Sequence, residues 1–190
     1  MALRHAVLAA LLDEELSGYQ LAKSFDLGVA NFWHALPQQL YAELARLEAD
    51  GLVAGREVVQ ETRPNKRLFK VTDEGLAELE RFAASSAKPS MLRDDLAVKV
   101  QSSDLVDTGP VIAQLRERAD FARAKIELFE KLLVKLRGGR VEEEFLREGE
   151  RVGPYLTCLG GLVFERGYLQ WCERIAGILE TRSGEKERGR

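Results

Sequence analysis

Apolar residues recur at helical spacing in short runs over the first 84 positions and in longer runs after position 91. Near the start, Leu3, Val7, Leu8, Leu11 and Leu12 form one stripe. Ser17-Gly18-Tyr19-Gln20 reads as a capping box, with Ser17 as N-cap and Gln20 three residues on, opening a helix that buries Leu21 and Phe25. Pro37 suits the first turn of a third helix, whose residues Leu36, Leu40, Leu44 and Leu47 share one face and which Gly51 ends. The period then changes. Leu52–Val59 and Lys66–Val71 are rich in β-branched residues and partly alternate, with Arg63-Pro64-Asn65 as the turn between them. Thr72-Asp73-Glu74 caps a fourth helix that carries Leu76, Leu79 and Phe82 inward. Three helices, a hairpin and a closing helix follow the order of a winged helix-turn-helix domain, an order that other small α+β domains can share.

The second half has a different texture. Ser85–Ser90 (SSAKPS) lacks an apolar period and predicts a linker. From Ile112 the positions 112, 115, 119, 122, 126, 129, 133 and 136 alternate at three and four residues, and the helix stops at Gly138-Gly139. Such a seam packs inside a domain or against another chain. In the last helix, opening at Pro154, Phe164, Tyr168, Trp171, Ile175 and Ile178 form a stripe, while Leu156, Leu159, Leu162, Val163 and Leu169 occupy much of the remaining circumference. A helix apolar on more than one side needs cover on more than one side. The pattern therefore predicts a two-fold homodimer whose interface includes Leu159, Leu162, Val163, Phe164, Tyr168, Trp171 and Ile175. The expected fold is mostly α with a small β-hairpin (α+β). Its parts are a winged helix-turn-helix domain (1–84), a linker (85–90), a helical dimerisation domain (91–181) and a disordered tail (182–190).

Composition removes several classes. No apolar run approaches the about 20 residues that span a bilayer, and the acidic, amphipathic start reads as a helix rather than a signal peptide. Two cysteines make no disulfide framework and point to the cytoplasm. Cys158 and Cys172 lie 14 positions apart on one predicted helix, about 21 Å at 1.5 Å per residue, so they cannot bridge within a chain and read as core thiols, with redox sensing across a dimer as the alternative. No H-E-x-x-H, C-x-x-C or G-x-x-x-x-G-K motif occurs, and Glu142-Glu143-Glu144 has no partner ligands at metal spacing. No cofactor or metal is expected, nor an enzyme, since no nucleophile–base set is recognisable.

The net charge of −3 argues weakly against nucleic acid, but it averages unlike regions. On helix 37–50, Gln38, Ala42, Ala45 and Ala49 lie opposite the leucines, flanked by Gln39, Tyr41 and Arg46. A face of alanines bordered by glutamines is slim enough for a major groove, where Gln can pair bidentately with adenine; good helix formers on a wet surface would give the same pattern. Between Arg56 and Lys70 stand five basic and two acidic residues, three of the basic ones in the tip Arg63-Pro64-Asn65-Lys66-Arg67. Positive charge on a protruding turn is what phosphate or minor-groove contact requires, although a charged hairpin also keeps its edges soluble.

The stretches SGYQLAK and NFWHALPQQLYAELARLEADGLVAGREVVQETRPNKRLFKVTDEGLAEL resemble the PadR family of bacterial transcriptional regulators. The family pattern runs G-Y-x-L, F-W, P-x-x-L-Y-x-x-L-x-x-L-E-x-x-G-L-V, a basic wing, then Y/F-x-[LV]-T-x-x-G. Near the C-terminus, Glu165, Arg166, Leu169 and Trp171 are similar to the family's closing helix. His34 stands where the family often has a small residue or Pro, and residues 1–84 hold nine basic against thirteen acidic residues. The resemblance implies a dimeric winged-helix repressor on double-stranded DNA with a pseudo-palindromic operator. It places Tyr19 and Tyr41 on phosphates, the start of the third helix (Gln38, Gln39) on bases, and Arg63, Asn65, Lys66 and Arg67 in the neighbouring groove. A small aromatic effector could stack on Trp33 and Trp171, for which packing is the commoner role. A winged helix that binds protein rather than DNA remains open, and a small enzyme is the weaker rival.

Overall fold

In the computed structural model the apolar start of the chain folds as α1 (Ala2–Ala10), with Ala6, Val7 and Leu8 buried. The structure describes residues 2–27, 35–59, 65–87 and 93–188, and the chain divides into two units, Met1–Pro89 and Ser90–Arg190.

In the first unit, β1 (Leu16–Ser17) precedes α2 (Gly18–Leu27). The predicted capping box forms: the Ser17 N–H donates to Gln20 Oε1 at 3.0 Å and the Gln20 N–H to Ser17 Oγ at 3.3 Å. Helix α3 (Pro37–Ala49) buries Leu40, Leu44 and Leu47, and Gly51 takes the positive φ that turns the chain into β2 (Val53–Val58). Strand β3 (Lys66–Val71) pairs antiparallel with both β2 and β1, giving a three-stranded sheet in the order β1-β3-β2. β1, only two residues long, carries no periodic signal. Helix α4 (Asp73–Ala84) closes the unit. One cluster joins Val7, Leu8, Leu11, Leu21, Phe25, the three α3 leucines, Val53 and Phe69; each fully buried leucine contributes about 1.5–3 kcal/mol.

Four apolar positions depart from the expected inward face. Leu12 and Leu36 are exposed because both lie just outside their helices. Leu76 and Phe82 on α4 are also exposed, and the residue buried there is Gly75. Phe82 is nonetheless covered on one face, its ring stacked 3.9 Å from the His5 ring. His5 in turn bonds Glu78 at 3.0 Å, so one α1 side chain fastens two positions of α4.

The second unit comprises α5 (Asp95–Gln101), α6 (Gly109–Arg137), α7 (Glu142–Glu148) and α8 (Gly153–Arg188). α6 and α8 run antiparallel: Phe129 meets Cys158, Arg118 meets Glu165 and Arg116 meets Glu180. The predicted seam of α6 is covered here, with Leu115, Ala119, Ala122, Phe129 and Leu133 buried. Against it α8 presents Tyr155, Cys158, Leu162, Glu165, Cys172, Ala176 and Leu179. Leu162, expected at a dimer interface, is therefore core of its own unit. Both thiols are buried and free. The segment from 182, expected as a disordered tail, is helical to Arg188. Its anchors are polar ones that apolar periodicity does not register: Arg182 pairs with Asp104, and Ser183 Oγ lies 2.9 Å from Thr108 Oγ1.

Candidate nucleic-acid interface

Because the leucines of α3 all turn inward, Gln38, Tyr41, Ala42, Ala45, Arg46 and Ala49 are left exposed together. Gln39 is exposed as well, but its Oε1 accepts the Leu36 N–H at 2.9 Å and so serves the helix start. Gln38 is thus the better placed of the two glutamines for an outside partner. Tyr41 reaches across to the start of α2, its ring packed over Gly18 so closely that a Cβ there would lie 2.3 Å from Cε1. Tyr19, next in the chain, is 72% exposed. The two tyrosines predicted on phosphates are therefore brought to one helix start.

The wing follows from strand alternation. Phe69 points into the core and Val71 packs against it, so Arg67, two residues before Phe69, lies on the same face toward the tip, 5.9 Å above the Phe69 ring. Lys66, Leu68 and Lys70 take the opposite face. Arg56, paired in register with Leu68, joins them. Arg56 meets Glu15 at 2.5 Å, Arg67 meets Glu48 at 2.6 Å, and Asn65 donates to Glu57 at 2.9 Å. The Arg56 guanidinium holds the Glu15 carboxyl below its ordinary range. Lys66 and Lys70 form no ion pair among the described residues. Arg63, expected at the tip, and Trp33 lie outside the described residues. The partners Glu15 and Glu48 carry no signal in the sequence, since they are 41 and 19 positions from the arginines they meet.

In the second unit, Phe164, Tyr168 and Trp171 form an aromatic run, with ring centroids 5.9 and 5.3 Å apart. Arg118 lies 4.3 Å above the Tyr168 ring and bonds the buried Glu165 at 2.9 Å. The Tyr168 hydroxyl donates to Asp94, and burial together with that carboxylate pushes the phenol well above its ordinary value. Leu159, Tyr168, Trp171 and Ile175 are half-buried, whereas Val163 and Phe164 are exposed. Among the described residues no cluster fits a metal ion, and no helix is long and apolar enough to cross a membrane.

Residues 7–81 match the profile of the transcriptional regulator PadR-like family, and residues 92–180 match that of the virulence activator alpha C-terminal domain. Over 96% of this chain and all of the relative, the sequence is 30% identical to the probable transcriptional regulator Rv1176c of Mycobacterium tuberculosis. The chain belongs to the PadR-like family of transcriptional regulators. It is also 25% identical to the negative transcriptional regulator PadR of Bacillus subtilis, over 94% of this chain and 97% of that protein. The crystal structure of that PadR with operator DNA superposes with a TM-score of 0.76 at 24% identity, covering 94% of this chain and 97% of that one. Its complex with p-coumaric acid gives a TM-score of 0.69 at 24% identity, covering 95% and 99%. The fold is thus that of a PadR-like winged-helix regulator with a helical C-terminal domain. Membership places the chain among transcriptional regulators rather than enzymes.

Proposed function

We propose that this PadR-like chain is a cytoplasmic homodimeric repressor that reads an inverted repeat with α3 and the basic wing. The observation that carries the reading is the exposed face of α3, with Gln38 at its first turn and alanines behind it, beside a strand presenting Lys66 and Lys70. Alanines let the helix approach base edges, Gln38 supplies an amide pair for adenine, and the lysines neutralise phosphates. Tyr19 and Tyr41 at the start of α2 add phosphate contacts, with Asn65, Arg67 and Arg63 continuing them along the wing. The relative PadR, solved in complex with operator DNA, supports DNA as the partner.

The same reading includes an aromatic effector at the dimer interface. A ring would stack on the run Phe164–Tyr168–Trp171, and Arg118 would face its acid group. The relative's complex with p-coumaric acid supports that ligand class. A protein-binding winged helix is the second reading, favoured by the carboxylates already seated on Arg56 and Arg67.

Salt-dependent binding to the DNA upstream of the chain's own gene tests the assignment. A DNA binder loses affinity steeply with salt. Lys66→Ala weakens binding across sequences and flattens the log–log slope by about one, the share of one phosphate contact. Gln38→Ala relaxes preference at particular bases instead. Unchanged affinity in both variants places the reading head elsewhere, and the absence of any salt-dependent binding favours the protein-interaction reading.

A further inference from the structure

Both arginines of the described wing are occupied by carboxylates of the first unit, and one arrangement is built rather than incidental. Glu48, on the last turn of α3, directs Oε1 at two donors: Arg67 Nη2 at 2.6 Å and the Gly55 N–H at 3.0 Å. A Cβ at position 55 would lie 2.3 Å from that oxygen and 2.5 Å from Arg67 Nε. The missing side chain of Gly55 is what admits the bridge. Glu57, directly across the ladder from Arg67, adds a second acid on the same face. The guanidinium thus already holds, through Nη2, a carboxylate oxygen in the place that a phosphate oxygen would take.

We propose that Glu48 is a specificity-determining residue for DNA binding: its carboxylate stands in for a phosphate and withholds Arg67 from non-specific DNA, releasing it only on a correctly seated site. The inference rests on the DNA-binding reading above. Non-specific binding is driven by phosphate attraction in no fixed register, and a loosely held backbone has to outcompete a preformed two-donor contact. On a specific site α3 is seated in the groove, and a phosphate is then held at the wing long enough to take Arg67 over. Lys66 and Lys70, on the opposite face, supply the electrostatic attraction that remains.

A random-sequence 30-bp duplex tests this without knowledge of the operator, using fluorescence anisotropy on the full chain between 50 and 200 mM salt. Glu48→Gln keeps an oxygen for the Gly55 N–H but removes the charge. It should bind the duplex several-fold more tightly than the wild type, with a slope steeper by about 0.9. That slope adds a further loss of about three- to fourfold across the salt range, the factor expected of one more phosphate contact. Arg67→Ala, combined with Glu48→Gln, should cancel the gain that Glu48→Gln gives alone. Glu80→Gln, at an exposed position on α4, controls for net charge, and circular dichroism reports the fold. The inference is overturned if Glu48→Gln binds no better than wild type, if its gain survives Arg67→Ala, or if Glu80→Gln gains equally. Failure of the wild type to bind any duplex at 50 mM salt would overturn the DNA-binding reading and this inference with it.

Discussion

Gly75 sits where the first turn of α4 crosses the chain leaving α3. A Cβ there would lie 2.2 Å from the Leu52 carbonyl oxygen and 2.8 Å from Val71 Cγ1. That carbonyl accepts the Thr72 N–H at 3.1 Å, so it cannot swing away without losing a bond. Thr72 Oγ1 accepts the Gly75 N–H at 3.1 Å and donates to the Gly51 carbonyl at 2.7 Å. The cap of α4 was legible in Thr72-Asp73-Glu74 because capping is local. The need for glycine was not, because the atom that forbids a side chain belongs to a residue 23 positions earlier in the sequence. Gly75→Ala is expected to destabilise the first unit by about 1–3 kcal/mol, the usual cost of overpacking. A urea midpoint equal to that of the wild type would show the crossing to be looser than described.

At the scale of elements, sequence pattern did well where one face repeats and Pro or Gly marks the ends, as in α3. It did less well on α8, where the more apolar stripe is not the one that its own unit covers most fully. The buried face carries Cys158, Glu165, Cys172 and Ala176 among larger residues. These suit α6, which offers the small Ala119 and Ala122 and brings Arg118 to Glu165. Local hydrophobicity cannot register a charge that a partner helix neutralises. The α6–α8 pairing also predicts a pH response. Burial pushes both thiols up, and Tyr155 and Tyr168, donating to Glu142 and Asp94, are pushed up as well. Folding thus favours the protonated forms. The unfolded chain gives up these protons near the ordinary values of 9.0 and 10.0, before the folded chain does. The contribution to stability is fully present below pH 9 and is lost as pH rises past these values. In a Trp33→Phe variant, Trp171 fluorescence should report a urea midpoint for the second unit that falls between pH 8 and 10.5. A flat profile over that range would mean that these groups are solvated in the folded state.

For the whole molecule the open question is what covers the other side of α8. Leu156 and Val163 lie roughly opposite the covered face on a 100° wheel, and Val163 is 63% exposed. Phe164 and Ile178 on the same helix, with Phe121 and Leu128 on α6, are exposed too. Exposed apolar side chains on two paired helices suit an association site, and under the proposed function a second copy is the partner that an inverted repeat would require. Two α3 helices related by such an axis would meet half-sites about 34 Å apart, one helical turn, or a multiple of it. Light scattering at micromolar concentration is therefore expected to give roughly twice the chain mass of 21.3 kDa. Val163→Glu should return it to the monomer with its helical circular dichroism intact, since the side chain lies outside the buried clusters of its own unit. Affinity for the inverted repeat should fall in the same variant by far more than affinity for random duplex, because a lone reading helix keeps its phosphate attraction but loses the second half-site. Equal losses on both duplexes would show that the dimer does not set the register on DNA, and a monomeric wild type would remove the two-fold reading altogether.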